Sequence, residues 1–426
     1  MIQAFKSRIK DLPSRIKPYF IALLKWGIFA CLIGISVGTI GVLFYHGTRI
    51  ATDLFQAFDW LILLLPVGGA IIYYLYRLAG QAGGKGTDLI LLAVRSNEKI
   101  SLKTAPLIFI GTVVTHLLGG SSGREGAALQ LGGSLSAWLG RRLRLHEKDE
   151  RLMTLCGMAA AFSAVFGTPL TAVIFSMEVI SVGVMYYAAA LPCAISALTA
   201  YALAVGLGVH PPHFQLYGLP ELGLFPVLQV MMLALLCAGV SILFCVCMHG
   251  AGKFYRNYLP QPLRIIAAGL LLMGLTLLIQ CMTGARDYNG PGMDGIANAL
   301  AGEARPEAFI LKILFTALTL GAGFKGGEIV PAFFTGSTFG CAAAPFLGMP
   351  PSFAAGIGLV SVFCGVTNCP IASLFLSLEL FGSDGILFFL LSCAVSYVFS
   401  GYYGLYSEQK ILYSKISPSF IDKKAG

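Results

Sequence analysis

The chain has 426 residues, 57% of them hydrophobic and 12% charged, with a mean hydropathy of +0.80 and a net charge of +9. A water-soluble chain carries about twice that charged fraction, so a soluble enzyme or binding module is excluded as the main body. The basic balance is not a nucleic-acid signature either, because Lys and Arg collect at the ends of apolar segments.

Residues 1–19 are basic (Lys6, Arg8, Lys10, Arg15, Lys17) and carry Pro13 and Pro18. They read as a cytoplasmic amphipathic helix lying on the membrane surface and not as a cleaved leader. Apolar windows then recur from about residue 20 to 402, with only short polar or Gly/Pro turns between them. Segments 21–44, 61–78 and 225–248 are long enough to span a bilayer, which takes about 20 apolar residues. Segments 105–118, 125–139 and 309–320 are shorter and suit tilted, broken or re-entrant helices. Basic clusters follow at 141–151, 253–264 and in the tail, whereas the linker 206–222 has no Lys or Arg. The positive-inside rule puts the basic clusters and both termini in the cytoplasm and the linker outside. Each half then crosses the membrane an odd number of times, and the second half is inverted. The expected organisation is a first membrane repeat over 20–205, the external linker 206–222, a second repeat over 223–413 and a short tail over 414–426. The cysteines are scattered through apolar segments without ligand spacing and read as small core residues, with no disulfide framework and no metal or cofactor expected.

Two ordered matches support the duplication. GGSSGREGAALQLGG (119–133) and GFKGGEIVPAFFTG (323–336) each place a glutamate, Glu125 or Glu328, in a glycine-rich turn. Each glutamate is followed eight residues later by a Gly-Ser pair, Gly133-Ser134 or Gly336-Ser337. TPLTAVIFSMEV (168–179) and CPIASLFLSLEL (369–380) match at Pro169/Pro370, Ser176/Ser377 and Glu178/Glu379, with Phe162/Phe363 and Val165/Val366 just upstream. Both matches hold at nearly the same separation, which chance similarity between apolar segments does not readily give.

A helix N-terminus has unpaired N–H groups and a positive dipole end, and a glycine turn lets an ion approach those groups closely. Two such starts meeting near the membrane midplane make an anion site without a full positive charge. A first-turn glutamate is an anion tethered to that site. Ionised, it occupies the anion's place; protonated, it loses that attraction and can swing away. In a soluble protein such an acid would do no more than satisfy the dipole, but membrane burial and repetition favour function. Glu178 and Glu379 sit near segment ends, where capping or pairing is the favoured reading. Arg124 is expected at a polar partner or the interface, and Lys325 could help draw in anions. The stretch 83–87 is not a phosphate loop, and 120–126 has the wrong spacing for a nucleophile elbow.

From residue 21 to about 412 the chain resembles a CLC-type anion channel/transporter. GREG (123–126) is similar to that family's GREGP motif, and GGEIVPAFF (326–334) to its second anion-site motif. The resemblance implies an all-α polytopic membrane protein, an inverted repeat with broken and re-entrant helices, acting as a homodimer with one pore per subunit. It makes Glu125 the gating glutamate and implies anion contacts from Gly123, Arg124, Gly126 and Ala127 in one half. In the other half it implies Gly327, Ile329 and Val330, together with Tyr406 of GLYSEQ.

Several departures set the subclass. Ala127 replaces the motif's proline. Glu328 stands where chloride members are apolar, and Val179 stands where chloride/proton exchangers carry an internal proton-transfer glutamate. GKGTD (84–88) represents the family's GSGIP loop without its serine, and Lys85 falls near that serine's place. These features resemble the fluoride-exporting branch, implying exchange of cytoplasmic fluoride for external protons across the inner (plasma) membrane, coupled through Glu125 and Glu328. The alternatives are a passive chloride or fluoride channel, or a chloride/proton exchanger, on the same scaffold. A membrane-embedded enzyme would need a nucleophile, metal-ligand or cofactor motif, and the sequence offers none.

Overall fold

The computed structural model describes residues 12–81, 86–96 and 98–425. The first half contains α1 (Leu12–Ala57), a 3-10 turn (Asp59–Leu64) leading into α2 (Leu65–Leu78), α3 (Asp88–Ser96) and α4 (Thr104–Leu117). It continues with α5 (Glu125–Arg142), α6 (Glu147–Phe166), α7 (Pro169–Glu178) and α8 (Ala190–Gly206). The second half repeats this order as α9 (Leu224–Tyr258), α10 (Gln261–Thr283), α11 (Met293–Leu300) and α12 (Ala308–Ala322). It closes with α13 (Ile329–Leu347), α14 (Pro351–Thr367), α15 (Pro370–Phe381) and α16 (Ile386–Phe399). Six helical stretches among the described residues are long and apolar enough to cross a membrane, and α4, α7, α12, α14, α15 and α16 are shorter apolar helices. The short helices start or stop inside the protein, where neighbouring chain can satisfy their ends. Helix α5 runs to Arg142, past the end of the expected 125–139 segment, because the helix continues through its first basic residues. The expected surface helix falls largely on residues 1–11, outside the described residues; from Leu12 onward the chain is continuous with α1.

Helix α14, and α6 from Met153 onward after a charged first turn, are apolar on every side and almost fully buried, as the central members of a bundle must be. Each packs backbone to backbone on a glycine-broken helix. A Cβ on Gly157 of α6 would stand 2.3 Å from the Gly132 carbonyl of α5, and one on Gly358 of α14 would stand 2.2 Å from the Gly336 carbonyl of α13. Small residues are what permit so close an approach within a membrane. Five phenylalanines from both halves close a ring beside these helices: Phe162, Phe166, Phe333, Phe363 and Phe175, with successive centroids 5.1–5.9 Å apart. The matched residues Phe162 and Phe363 are both members.

Helices α7 and α15 cap each other. Each begins with proline at its first position, which has no N–H to satisfy, and the next two N–H groups are bound by the other helix's glutamate. Glu379 Oε1 accepts from Leu170 N at 2.8 Å, and its Oε2 accepts from Thr171 N at 2.9 Å and Thr171 Oγ1 at 2.6 Å. Glu178 accepts from Ile371 N at 3.2 Å and Ala372 N at 2.8 Å. The structural reading of these two acids therefore holds, and it explains why both halves keep the Pro-to-Glu spacing. A Glu379→Gln variant turns one acceptor into a donor facing donors and removes the charge from the helix start. It is expected to cost about 1–3 kcal/mol, seen as a lowered midpoint of thermal unfolding in detergent.

A small sheet adds to the all-α frame. β1 (Ser181–Val182) pairs in parallel with β2 (Lys410–Tyr413), which pairs antiparallel with β3 (Phe420–Lys424). The tail thus folds back as a hairpin onto the loop after α7.

Candidate functional site

The two glycine turns meet directly. Gly123 N–H donates to the Gly327 carbonyl at 2.7 Å, and Gly327 N–H donates back to the Gly123 carbonyl at 2.7 Å. This single antiparallel bridge joins the helix starts of the two halves. A Cβ on Gly327 would lie 2.5 Å from Gly126 N, so only glycine permits the pairing.

The bridge corrects the expected donor set: the amides of Gly123 and Gly327 are committed to each other and cannot serve an anion. The ladder of α5 begins with Ala128 N–H donating to the Arg124 carbonyl, and that of α13 with Ala332 N–H donating to the Glu328 carbonyl. That leaves the first-turn amides of Gly126 and Ala127 in one half and of Ile329 and Val330 in the other, while Pro331 has none to offer.

Glu125 is 1% exposed and folds back over its own helix start. Its Oε2 accepts from Arg124 N at 3.1 Å, and its Oε1 lies 3.5 Å from Arg124 Nε. The Arg124 guanidinium lies over the Tyr45 ring at 4.3 Å, so Arg124 serves the glutamate and the ring more than the expected anion contact. His116, at the end of α4, sits beneath the turn with Nε2 3.4 Å from the Gly123 carbonyl and Nδ1 3.4 Å from Thr52 Oγ1. The sequence reading did not single it out.

Glu328 precedes α13 and reaches into the other half. Its Oε2 stands 2.9 Å from where a Gly126 Cβ would be, and it is buried without a hydrogen-bond partner. The Tyr406 hydroxyl is likewise buried and unpartnered, within electrostatic reach of Glu328. Orphaned polar atoms of this kind are uncommon in a packed interior and mark where polar chemistry is to be sought. Tyr406 is fixed by its neighbours. Asp88, the first residue of α3, accepts from Ser407 Oγ at 2.5 Å and from Glu408 N at 3.1 Å. Gln409 Nε2 donates to the carbonyls of Val179 at 2.9 Å and Thr367 at 2.8 Å, so the residue standing in place of an internal glutamate presents only its backbone here. Lys85 lies outside the described residues. Of the same loop, Thr87 Oγ1 accepts from Gln130 Nε2 at 3.1 Å and faces the Gly126 carbonyl at 3.5 Å.

Two cavities reach residues that flank the bridge, Gly326 and Glu328 in one and Arg124 in the other. One, about 420 Å³, is lined by Glu328, Asp88, Gln130 and Lys325 and by cations from the α9–α10 corner. The other, about 600 Å³, is lined by Arg124, Tyr45, Arg49 and His210 and by residues 284–287 and 289–295. Glu125 lines neither cavity. Behind the second cavity, Lys312 is fully buried and donates to the carbonyls of Tyr288 at 3.2 Å and Gly290 at 2.8 Å.

The packing leads to a direct expectation for Gly327→Ala. Its methyl would collide with the Gly126 backbone and force the two turns apart. A cost of about 1–3 kcal/mol from overpacking is expected together with loss of anion flux, measured by thermal unfolding and liposome efflux on the same preparation.

The model of the voltage gated chloride channel family matches residues 68–401. A chloride/fluoride channel protein of Pseudomonas syringae pv. tomato is 35% identical over 401 residues, covering 92% of this chain and 88% of that protein. An H(+)/Cl(-) exchange transporter ClcA of Yersinia pestis is 25% identical over 400 residues, covering 87% and 82%. The crystal structure of a CLC-type fluoride/proton antiporter superimposes with a TM-score of 0.87 at 31% identity, covering 92% of this chain and 98% of that one. A slow cyanobacterial Cl-/H+ antiporter shares the fold at a TM-score of 0.76 and 17% identity. With its paired glycine turns, its inverted halves and these relatives, the chain belongs to the voltage gated chloride channel, or CLC, family of membrane anion channels and transporters.

Proposed function

We propose that this protein exports fluoride from the cell in exchange for protons. The observation that carries the reading is the pair of glutamates at the joined helix starts, with Glu328 of one half packed on Gly126 of the other. The names borne by the 35% identical relative and by the structure with a TM-score of 0.87 support it, because both include fluoride. So does Val179, which removes the side chain that chloride/proton exchangers use as a relay and leaves Glu328 as the second acid on the path.

The working set is small. The amides of Gly126, Ala127, Ile329 and Val330, with the Tyr406 hydroxyl, offer a compact group of donors. Fluoride holds its water tightly, so only such a group can offset its dehydration. Charged Glu125, held on Arg124 N–H, lies beside the first-turn donors that the anion would take; protonation loosens it and loads a proton for the return. Glu328 passes that proton to or from the cavity that it lines. The basic clusters at 141–151 and 253–264 support a cytoplasmic side for that cavity by the positive-inside rule, with the chain in the inner membrane and both termini inside. The 206–222 side then faces out, and the working unit is a homodimer with one pore per subunit. An inward proton gradient drives export of an anion that enters as its neutral acid.

Anion preference is tested by loading liposomes with equal fluoride and chloride and recording efflux of each with ion-selective electrodes. Fluoride is expected to leave at least about tenfold faster, a ratio set by about 1.4 kcal/mol of barrier difference. Equal rates would contradict the fluoride assignment and return the protein to the chloride/proton exchangers.

A further inference from the structure

The cavity beside Glu328 gathers more positive charge than a monovalent anion calls for. Lys253 and Arg256 come from the end of α9, Arg264 from the start of α10, and Lys325 from the second glycine turn. Among the described residues none of the four forms an ion pair, and the Arg264 Nε is buried without a hydrogen-bond partner. The cations also face one another: Arg264 lies within repulsive range of both Arg256 and Lys325. They are folded along the cavity wall. Arg264 Nη2 is 3.9 Å from where a Gly323 Cβ would stand, Arg256 Nη1 is 3.7 Å from the corresponding point at Gly252, and Lys325 Nζ lies 4.3 Å over the Tyr76 ring. Two acids share the cavity. Asp88 already has both oxygens engaged by Ser407 and Glu408, and Glu328 belongs to the transport path.

Lys253 and Arg256 are exposed and Arg264 and Lys325 half-buried, and an anion shared between such like charges reverses the sign of their mutual interaction. Guanidinium forks match the oxygens of phosphate in pairs, which a spherical halide cannot exploit. The cavity, about 420 Å³, holds an anion much larger than fluoride. We propose that this cavity binds a phosphate-class polyvalent anion, which stands over Glu328 and competes with the transported ion at that mouth. The phosphate has two possible sources. One is free phosphate entering from water. The other is the headgroup of an anionic lipid, which could reach Arg264 because α10 turns most of its surface away from the protein.

The test is thermal unfolding of the purified protein in detergent, titrated with inorganic phosphate against chloride at matched ionic strength. The wild-type midpoint is expected to rise and saturate with phosphate, as for a ligand that binds only the folded state. In the double variant Arg256→Gln/Arg264→Gln the half-saturating concentration should rise by about tenfold or more. Arg49→Gln, which changes the opposite cavity, should leave the titration unchanged. Nanodiscs separate the sources: stabilisation by phosphatidylglycerol over phosphatidylcholine, without a phosphate response in detergent, assigns the ligand to the lipid headgroup. If the double variant does not fold, Lys253→Met takes its place. The proposal is overturned if neither phosphate nor phosphatidylglycerol shifts the wild-type midpoint beyond the chloride control, or if the variants respond as the wild type does. The readout is binding, so it is decided separately from fluoride/proton exchange.

Discussion

Replacing Glu125 with glutamine is expected to abolish proton movement while anion movement no longer responds to a pH gradient. The argument begins with the site's first-turn donors. The carboxylate of Glu125 lies on Arg124 N–H at 3.1 Å, held where a negative charge is attracted, and the neighbouring Gly126 and Ala127 amides are the donors proposed for the anion. Protonation weakens that hold, which ties movement of the side chain away from the neighbouring donors to the uptake of a proton. Glutamine has the size of the protonated acid but cannot take up or deliver a proton. Removing a positioned proton carrier typically costs about 10²–10⁴ in rate, so proton flux should fall below detection. The fold should survive, since losing one charge-assisted hydrogen bond costs about 1.5–3 kcal/mol. Fluoride-driven proton uptake in liposomes measures the first effect and thermal unfolding the second. Retained proton uptake would remove Glu125 from the mechanism.

Glu328→Gln is expected to be nearly as severe. Glu328 Oε2 is buried, has no hydrogen-bond partner and abuts Gly126, so no other side chain is held through that oxygen. A buried carboxylate with no structural duty is an expensive feature at membrane depth, where ionisable groups are ordinarily functional. The amide keeps the shape and cannot relay a proton, so coupled exchange should fall by about 100-fold or more with the unfolding midpoint preserved. Glu328→Asp, which withdraws the carboxyl by one methylene, should give an intermediate rate. Full coupled exchange in the glutamine variant would show that protons travel by another route.

Much of this site was legible because the chain states it twice. Comparing 119–133 with 323–336 brings out Glu125 and Glu328, and comparing 168–179 with 369–380 brings out Glu178 and Glu379 together with their prolines. What duplication could not convey is how the copies meet. Gly123 and Gly327 read as anion donors on their own, and only their mutual pairing removes their amides from that role. The Asp88 clamp on Ser407 and Glu408 joins the first half to the tail, and no local pattern points to it. His116 looks like an ordinary helix-end residue until the fold places it against the Gly123 carbonyl. Lys312 did leave a signal, a lone cation inside the apolar stretch 309–320, and the structure answers it with two backbone carbonyls. The tail hairpin depends on a partner strand more than two hundred residues away, at Ser181–Val182.

The central claim is that fluoride and protons move in obligatory exchange. Its most direct test uses the purified protein in liposomes loaded with fluoride, with an internal pH dye and no initial pH difference. Outward fluoride flow should pull protons inward and build a pH gradient that a proton ionophore collapses. Fluoride leaving at full rate without any movement of protons would contradict the account and make the protein a passive channel on the same scaffold.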